Sequence, residues 1–185
     1  PFVIPVAMGL LARDGRPLAL RLEGESADAP AVAERVLVLD EAKSFFTFVD
    51  VPSPPVPSLL RGFSAPVLMS DGLADADLLV LLQHDSDAFN RWEAGQRMAL
   101  NRLLAALRDG VPPQLDAPFE AAMRSALRDP QLDAAFKELL LSLPSEGYIA
   151  EQLEVVDPPL VHAARRDLQR ALARALRHDW AWAFE

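Results

Sequence analysis

The residues best placed for chemistry stand in HDSDAFNRWEAGQRM, His84 to Met98, where a histidine and two aspartates precede a tryptophan. Three such groups could converge on a metal ion or pass a proton between them. A zinc site needs three or four ligands, yet the stretch holds no His-Glu-x-x-His pair and no second histidine lies nearby. Asp85, Ser86 and Asp87 also stand where a helix would begin. Side-chain oxygens there accept from the unpaired N–H groups of the first turn, and negative charge suits the helix dipole. Trp92, Ala99, Leu103 and Ala106 then recur at helical spacing, with Leu100, Leu104 and Leu107 widening the apolar face. The stretch therefore reads as a capped helix start with Trp92 as a buried aromatic joint, not as a metal or acid–base site.

The remaining candidates are weaker. His162 and His178 lie on one predicted helix, about 24 Å apart along its axis at 1.5 Å per residue, so they cannot share a metal. Ser58, Ser64, Ser142 and Ser145 lack a Gly-x-Ser-x-Gly context, and Ser145, after Pro144, is better placed as an N-cap. The scattered glycines form no phosphate-binding loop. No cysteine is present, which excludes disulfides and thiolate chemistry and suits a cytoplasmic location. Spacing alone thus assigns no catalytic, cofactor-binding or metal residue. Arg166, Arg170, Arg174 and Arg177 form a basic stripe, which could dock an acidic partner or nucleic acid but in so acidic a chain reads first as a solvated face. Trp180, Trp182 and Phe184 follow in DWAWAF, a cluster that needs something to bury it.

The chain changes character near residue 72. Its 185 residues suffice for one domain or two small ones. The net charge of −9 argues against nucleic acid or an anionic membrane as partner. No run of about 18 apolar residues occurs that would cross a bilayer. The opening PFVIPVAMGL has no basic leader and reads as a strand entered abruptly, as in a piece of something longer. Residues 1–71 predict short antiparallel strands: two runs around Asp14-Gly15, Val36 to Leu39, Phe45 to Val49, and short extended segments at Leu59 to Phe63 and Pro66 to Met69. Pro5 suggests an edge or a bulge. Residues 72–185 predict six helices with short connectors, started by Asp116, Ser145 and Asp157 and including one closed by Gly110. The fold class expected is a partial antiparallel β-sandwich followed by an all-α, solenoid-like domain.

SLLRGFSAPV (Ser58 to Val67), HDSDAFNRWEAGQ (His84 to Gln96), LPSE (Leu143 to Glu146) and the later DPP resemble bacterial aminopeptidase N, a gluzincin zinc metallopeptidase family. RVLVLDEAKSFFTF is similar to that family's paired strands. Ala88 departs from a proline common in the family, and Met69 to Leu73 differs from its aromatic-rich strand end. The resemblance implies an Ig-like sandwich over residues 1–71 and the first part of an armadillo- or HEAT-like helical domain over 72–185. It implies a zinc-dependent aminopeptidase in which the sandwich links the catalytic domain to the helices that cover the active site. The family's His-Glu-x-x-His helix, distal glutamate, Gly-x-Met-Glu-Asn loop and catalytic tyrosine have no counterpart motif here, and Tyr148 does not match that tyrosine. Zinc would then belong to a catalytic domain outside these residues. The partners expected are that domain and the rest of the helical domain. The competing expectation is a stand-alone helical interaction module. Self-association is also expected, through a bare strand edge and a row of Leu168, Leu172, Leu176 and Trp180 with nothing to cover it.

Overall fold

The computed structural model describes residues 2–26 and 28–184, Phe184 through its backbone alone. Strands come first and helices second, as the periodicities predict. The Phe184 side chain, part of the expected terminal aromatic cluster, lies outside the described residues.

β1 (Ile4–Leu11) is the strand on which the others assemble. β3 (Arg35–Leu39) pairs with its first half, from Ile4 to Met8. β4 (Val56–Leu59) pairs with Met8 to Leu11, and β2 (Pro17–Leu18) pairs with Leu10 and Leu11. All pairings are antiparallel. The Asp14-Gly15 turn forms as expected, with Gly15 at φ 85° and the Asp14 carboxylate accepting from the Arg16 amide. Pro5 is tolerated for a geometric reason. The Ala7 amide donates to Ser64 Oγ rather than to a strand, and Pro5, two residues earlier, directs its missing N–H to that same side. Met8, Leu10, Ala12, Leu18, Leu20 and Leu37 form the core of this half, with Phe48 packed on its edge.

Two strand expectations are corrected. Phe45 to Val49 makes no continuous strand: Phe48 bridges Leu22, the Glu23 amide reaches Thr47 O and the Val49 amide reaches Arg21 O. The facing segment turns away at Gly24, φ 85°, so the ladder cannot extend, and Phe45 is left 90% exposed. The strand in the proline-rich segment is Val56–Leu59 rather than Leu59 to Phe63. Residues Arg61–Phe63 form a short 3-10 turn instead, and no strand forms over 66–69.

Seven helices follow among the described residues: α1 (Asp75–His84), α2 (Ala88–Asp109), α3 (Ala117–Arg128), α4 (Ala134–Leu141), α5 (Glu146–Ala150), α6 (Pro158–Ala175) and α7 (Arg177–Phe184). Asp116, Ser145 and Asp157 cap α3, α5 and α6, each accepting from the amide three residues on. Gly110 ends α2 at φ 67°, where the Val111 amide turns back to Ala106 O in a Schellman closure. The sixth predicted helix is two: Leu176, at φ −97° and ψ 13°, leaves helical geometry and separates α6 from α7. The leucine row on that segment is not bare either. Leu168, Leu172 and Leu176 are buried, because α6 packs on α5 and α7 packs on α3, leaving Trp180 as the exposed member.

The chain forms two compact units, Pro1–Arg91 and Trp92–Glu185. The division falls in the first turn of α2, later than the change from strands to helices. α1 belongs to the first unit because it lies against β4. No described helix is long and apolar enough to cross a membrane.

Candidate functional site

The HDSD stretch is a helix start, as its residue types suggest. Asp87 Oδ1 accepts from the Asn90 amide at 2.9 Å, capping α2. Asp85 Oδ1 accepts from the Asp87 amide at 2.9 Å and so fixes the capping residue itself. What sequence spacing missed is the cation these groups face. Arg61, from SLLRGF, donates from Nη1 to Asp85 Oδ1 at 2.8 Å and to Ser58 Oγ at 3.0 Å. Its Nη2 reaches Ser86 Oγ at 2.7 Å and its Nε reaches Glu34 Oε2 at 2.6 Å. Four of the five guanidinium N–H groups are thereby used. Asn90 completes the junction by donating from Nδ2 to Ser58 Oγ at 2.8 Å and to Leu59 O at 2.9 Å.

The backbone of the turn is shaped to deliver that arginine. Leu60, Gly62 and Phe63 all adopt positive φ, between 54° and 59°. For Leu60 and Phe63 this conformation costs of order 1–3 kcal/mol each, which the contacts of the turn must offset. The Gly62 amide donates to Asp87 Oδ2 at 2.8 Å, and the Phe63 ring lies 5.3 Å from that of Phe89. Gly9 of β1 gives the guanidinium room, since a Cβ there would stand 3.1 Å from Arg61 Nη1. The two family-like motifs, separate in sequence, are one polar junction within the first unit.

The junction has no catalytic geometry. Ser58 is fully buried and already accepts two hydrogen bonds, so it cannot serve as a nucleophile. Ser64 accepts from Ala7, Ser145 caps α5, and the Ser142 hydroxyl donates to Glu138 O. His84 is exposed and lies over Gly15, where a Cβ would come within 2.2 Å of its ring. His162 Nδ1 stands 2.8 Å from Glu146 Oε1, and His178 is exposed beside Arg177. Trp92 is only partly buried, which corrects the expectation of a buried joint. Tyr148 is 42% exposed, and its phenol is pushed up chiefly by the burial of its ring and then by the nearby Glu93.

In the second unit, sequence reasoning also missed Asp179. It is buried on α7 and accepts from Arg124 Nε at 3.0 Å and from Arg128 Nε, both on α3. Arg124 further donates to Ala175 O at 3.0 Å, and the Arg128 guanidinium lies 5.0 Å from the Trp182 ring centre. Nothing short of tertiary contact could have paired these residues. Among the described residues no three His, Cys, Asp or Glu side chains are grouped to hold a metal ion.

Comparison with known proteins agrees with this architecture. A family model described as "Domain of unknown function (DUF3458) Ig-like fold" matches residues 1–72, and one described as "Domain of unknown function (DUF3458_C) ARM repeats" matches 75–185. Aminopeptidase N of Caulobacter vibrioides is 40% identical over 168 residues, covering 90% of this chain and 18% of that protein. Aminopeptidase N of Escherichia coli K12 is 32% identical, covering 95% of this chain and 20% of that protein. A crystal structure of Legionella pneumophila aminopeptidase A in complex with aspartic acid superposes with a TM-score of 0.80 at 30% identity, over 98% of this chain and 20% of that one. The chain thus spans about a fifth of the length of these relatives. It belongs to the DUF3458 family, an Ig-like segment followed by ARM-repeat helices, and is homologous to that part of bacterial aminopeptidase N.

Proposed function

We propose that this chain is a non-catalytic segment of a zinc-dependent aminopeptidase that removes N-terminal residues from peptides. On this reading the Ig-like part links the catalytic domain to the ARM-repeat helices, and the partners are the remaining domains of the same polypeptide, in the cytoplasm. The observation that carries the reading is the coverage: nearly all of this chain aligns with about a fifth of each aminopeptidase. The residues present do not fit a zinc ion. His162 is engaged by Glu146, His84 lies over Gly15, and no ligand trio is grouped among the described residues. Zinc and the peptide-cleaving groups therefore belong to the catalytic domain in this reading, and no step of the reaction is assigned to this chain. The Arg61 junction supports a mechanical role, because it ties the strand segment to the first turn of α2 through charge-assisted bonds in a buried setting.

Sequencing the gene around the first codon tests the proposal. A reading frame that continues upstream into a His-Glu-x-x-His motif is expected. A stop codon and start signal directly ahead of Pro1, with no such motif in the frame, would overturn it in favour of a stand-alone helical module.

A further inference from the structure

Three Asp-Gly pairs stand in the sequence: Asp14-Gly15, Asp71-Gly72 and Asp109-Gly110. Such a pair carries a latent reaction, because glycine has no Cβ to keep its amide nitrogen away from the aspartate carboxyl carbon. The fold protects the first and the third. The Gly15 amide already donates to Ala12 O at 2.9 Å, and Arg16 Nε grips Asp14 Oδ2 at 2.8 Å. The His84 ring lies against Gly15 and limits how far that turn can move. Asp109 is in the last turn of α2, where helical geometry sends the next amide to the carbonyl four residues back. Its carboxylate accepts from Arg108 Nε at 3.0 Å.

Asp71-Gly72 is placed differently. It lies in residues 64–74, which form neither helix nor strand, and Leu68, Met69 and Gly72 along it are exposed. Gly72 sits at φ 69°, and a Cβ added there would meet nothing within 4 Å, so the peptide has room to turn and water has access to it. The Gly72 amide donates to no acceptor among the described residues. Asp71 Oδ1 accepts from the Leu73 amide at 3.0 Å. An aspartate bonded to the amide two residues on folds its carboxyl over the peptide between them, and here that is the peptide of Gly72. The same bond draws electron density from the carboxyl carbon. Asp14 makes the same turn with the Arg16 amide at 3.1 Å, so approach alone does not separate the two sites. What separates them is the glycine amide, engaged at Gly15 and open at Gly72.

We infer that Asp71 is a site of spontaneous isoaspartate formation. The Gly72 nitrogen gives up its proton and bonds to Asp71 Cγ, and one carboxyl oxygen leaves as water, closing a five-membered imide. Water then adds back at either imide carbonyl. Opening at the side-chain carbonyl restores aspartate. Opening at the main-chain carbonyl leaves the chain running through Cγ, with the α-carboxylate as a branch. No atom is gained or lost overall, and no oxidant or reductant is needed. The product has one more carbon in the main chain between the Leu60–Phe63 turn and α1, and the Leu73 amide loses its acceptor. The exposed α-carboxylate of that product is the acceptor for a methyltransferase that esterifies isoaspartate with S-adenosylmethionine. The inference rests on this segment alone and is independent of aminopeptidase activity.

The test incubates the 185-residue chain in warm neutral buffer, folded and in concentrated urea, and samples both over days. Tryptic cleavage after Arg13, Arg61 and Arg108 puts the three Asp-Gly pairs on separate peptides, and fragmentation mass spectrometry counts isoaspartate in each. Protection at a site is its rate in urea divided by its rate in the folded chain, which cancels the effect of sequence neighbours. Protection at Asp71 is expected to be at least about tenfold lower than at Asp14 or Asp109, about the factor that one net hydrogen bond supplies. The aged folded chain should accept labelled methyl groups from S-adenosylmethionine and an isoaspartyl methyltransferase. Asp71→Glu, whose ring would need six members, should lose most of that label with an unchanged circular-dichroism signal. Equal protection at the three sites, or greater protection at Asp71, would overturn the inference. So would methyl labelling of the aged folded chain that Asp71→Glu leaves unchanged.

Discussion

Arg61 holds Asp85 at 2.8 Å, with the aspartate side chain wholly buried and the arginine side chain 11% exposed. The second oxygen of that carboxylate, Oδ2, is buried without a hydrogen-bond partner, so Arg61 is the cation compensating its charge there. Removing one member of a buried pair leaves the other desolvated and uncompensated, at about 3–5 kcal/mol. Arg61→Ala is therefore expected to destabilise the first unit by that amount, and Asp85→Ala by a similar one. In urea denaturation the double variant should cost clearly less than the sum. Additive losses would mean that the pair is not coupled.

Gly15 and His84 make a second long-range pair. Gly15 sits at φ 85°, and a Cβ there would meet His84 Cγ at 2.2 Å. Gly15→Ala should cost about 1–3 kcal/mol from the backbone alone, with the collision added. His84→Ala, an exposed truncation, should stay within about 1 kcal/mol. Combined, the histidine change should restore part of the glycine loss. If the double variant is as unstable as the sum predicts, the ring does not constrain that turn.

Trp92 and Phe119 separate partial from full burial. Phe119 is 0% exposed and lies beneath the Arg102 guanidinium at 4.6 Å, whereas Trp92 is only partly buried. Phe119→Ala is expected to cost about 3–5 kcal/mol, and Trp92→Ala about 1–3 kcal/mol. Denaturation midpoints that reverse this order would show that Trp92 carries more of the fold than its exposure indicates.

These contrasts mark where local reading of the sequence works. Asp116, Ser145 and Asp157 were legible as caps because each acts on an amide three residues away. Gly110 was legible because an αL stop is a local event. Phe45 to Val49 misled because strand formation depends on a partner, and that partner turns away at Gly24. The SLLRGF and HDSD motifs were each visible, but only folding brings Arg61 onto Asp85. The leucine row of α6 looked bare because its cover, supplied by packing among separate helices, has no sequence signature.

Asp179 gives the chain an acid-sensitive contact. Hydrogen bonding from Arg128 foremost, and also from Arg124, holds its carboxyl below the ordinary value of 3.8, with desolvation acting the other way. A carboxyl depressed in the folded state adds stability above its unfolded value and loses it as pH falls through the folded one. The hold of α7 on α3 should thus be intact at neutral pH and weaken below about pH 4. Glu120 also faces Arg124, at 2.7 Å, so that arginine has a second carboxylate partner beside Asp179. Emission from Trp180 and Trp182 in a Trp92→Phe chain is the readout, because both residues ride on α7. Asp14 and Glu25 are depressed as well, but they lie in the first unit, away from these reporters in sequence. Asp179→Asn should show the loosened signal already at neutral pH and lose the acid step. An emission flat down to about pH 2.5, or an acid step unchanged in Asp179→Asn, would remove Asp179 as the anchor of α7.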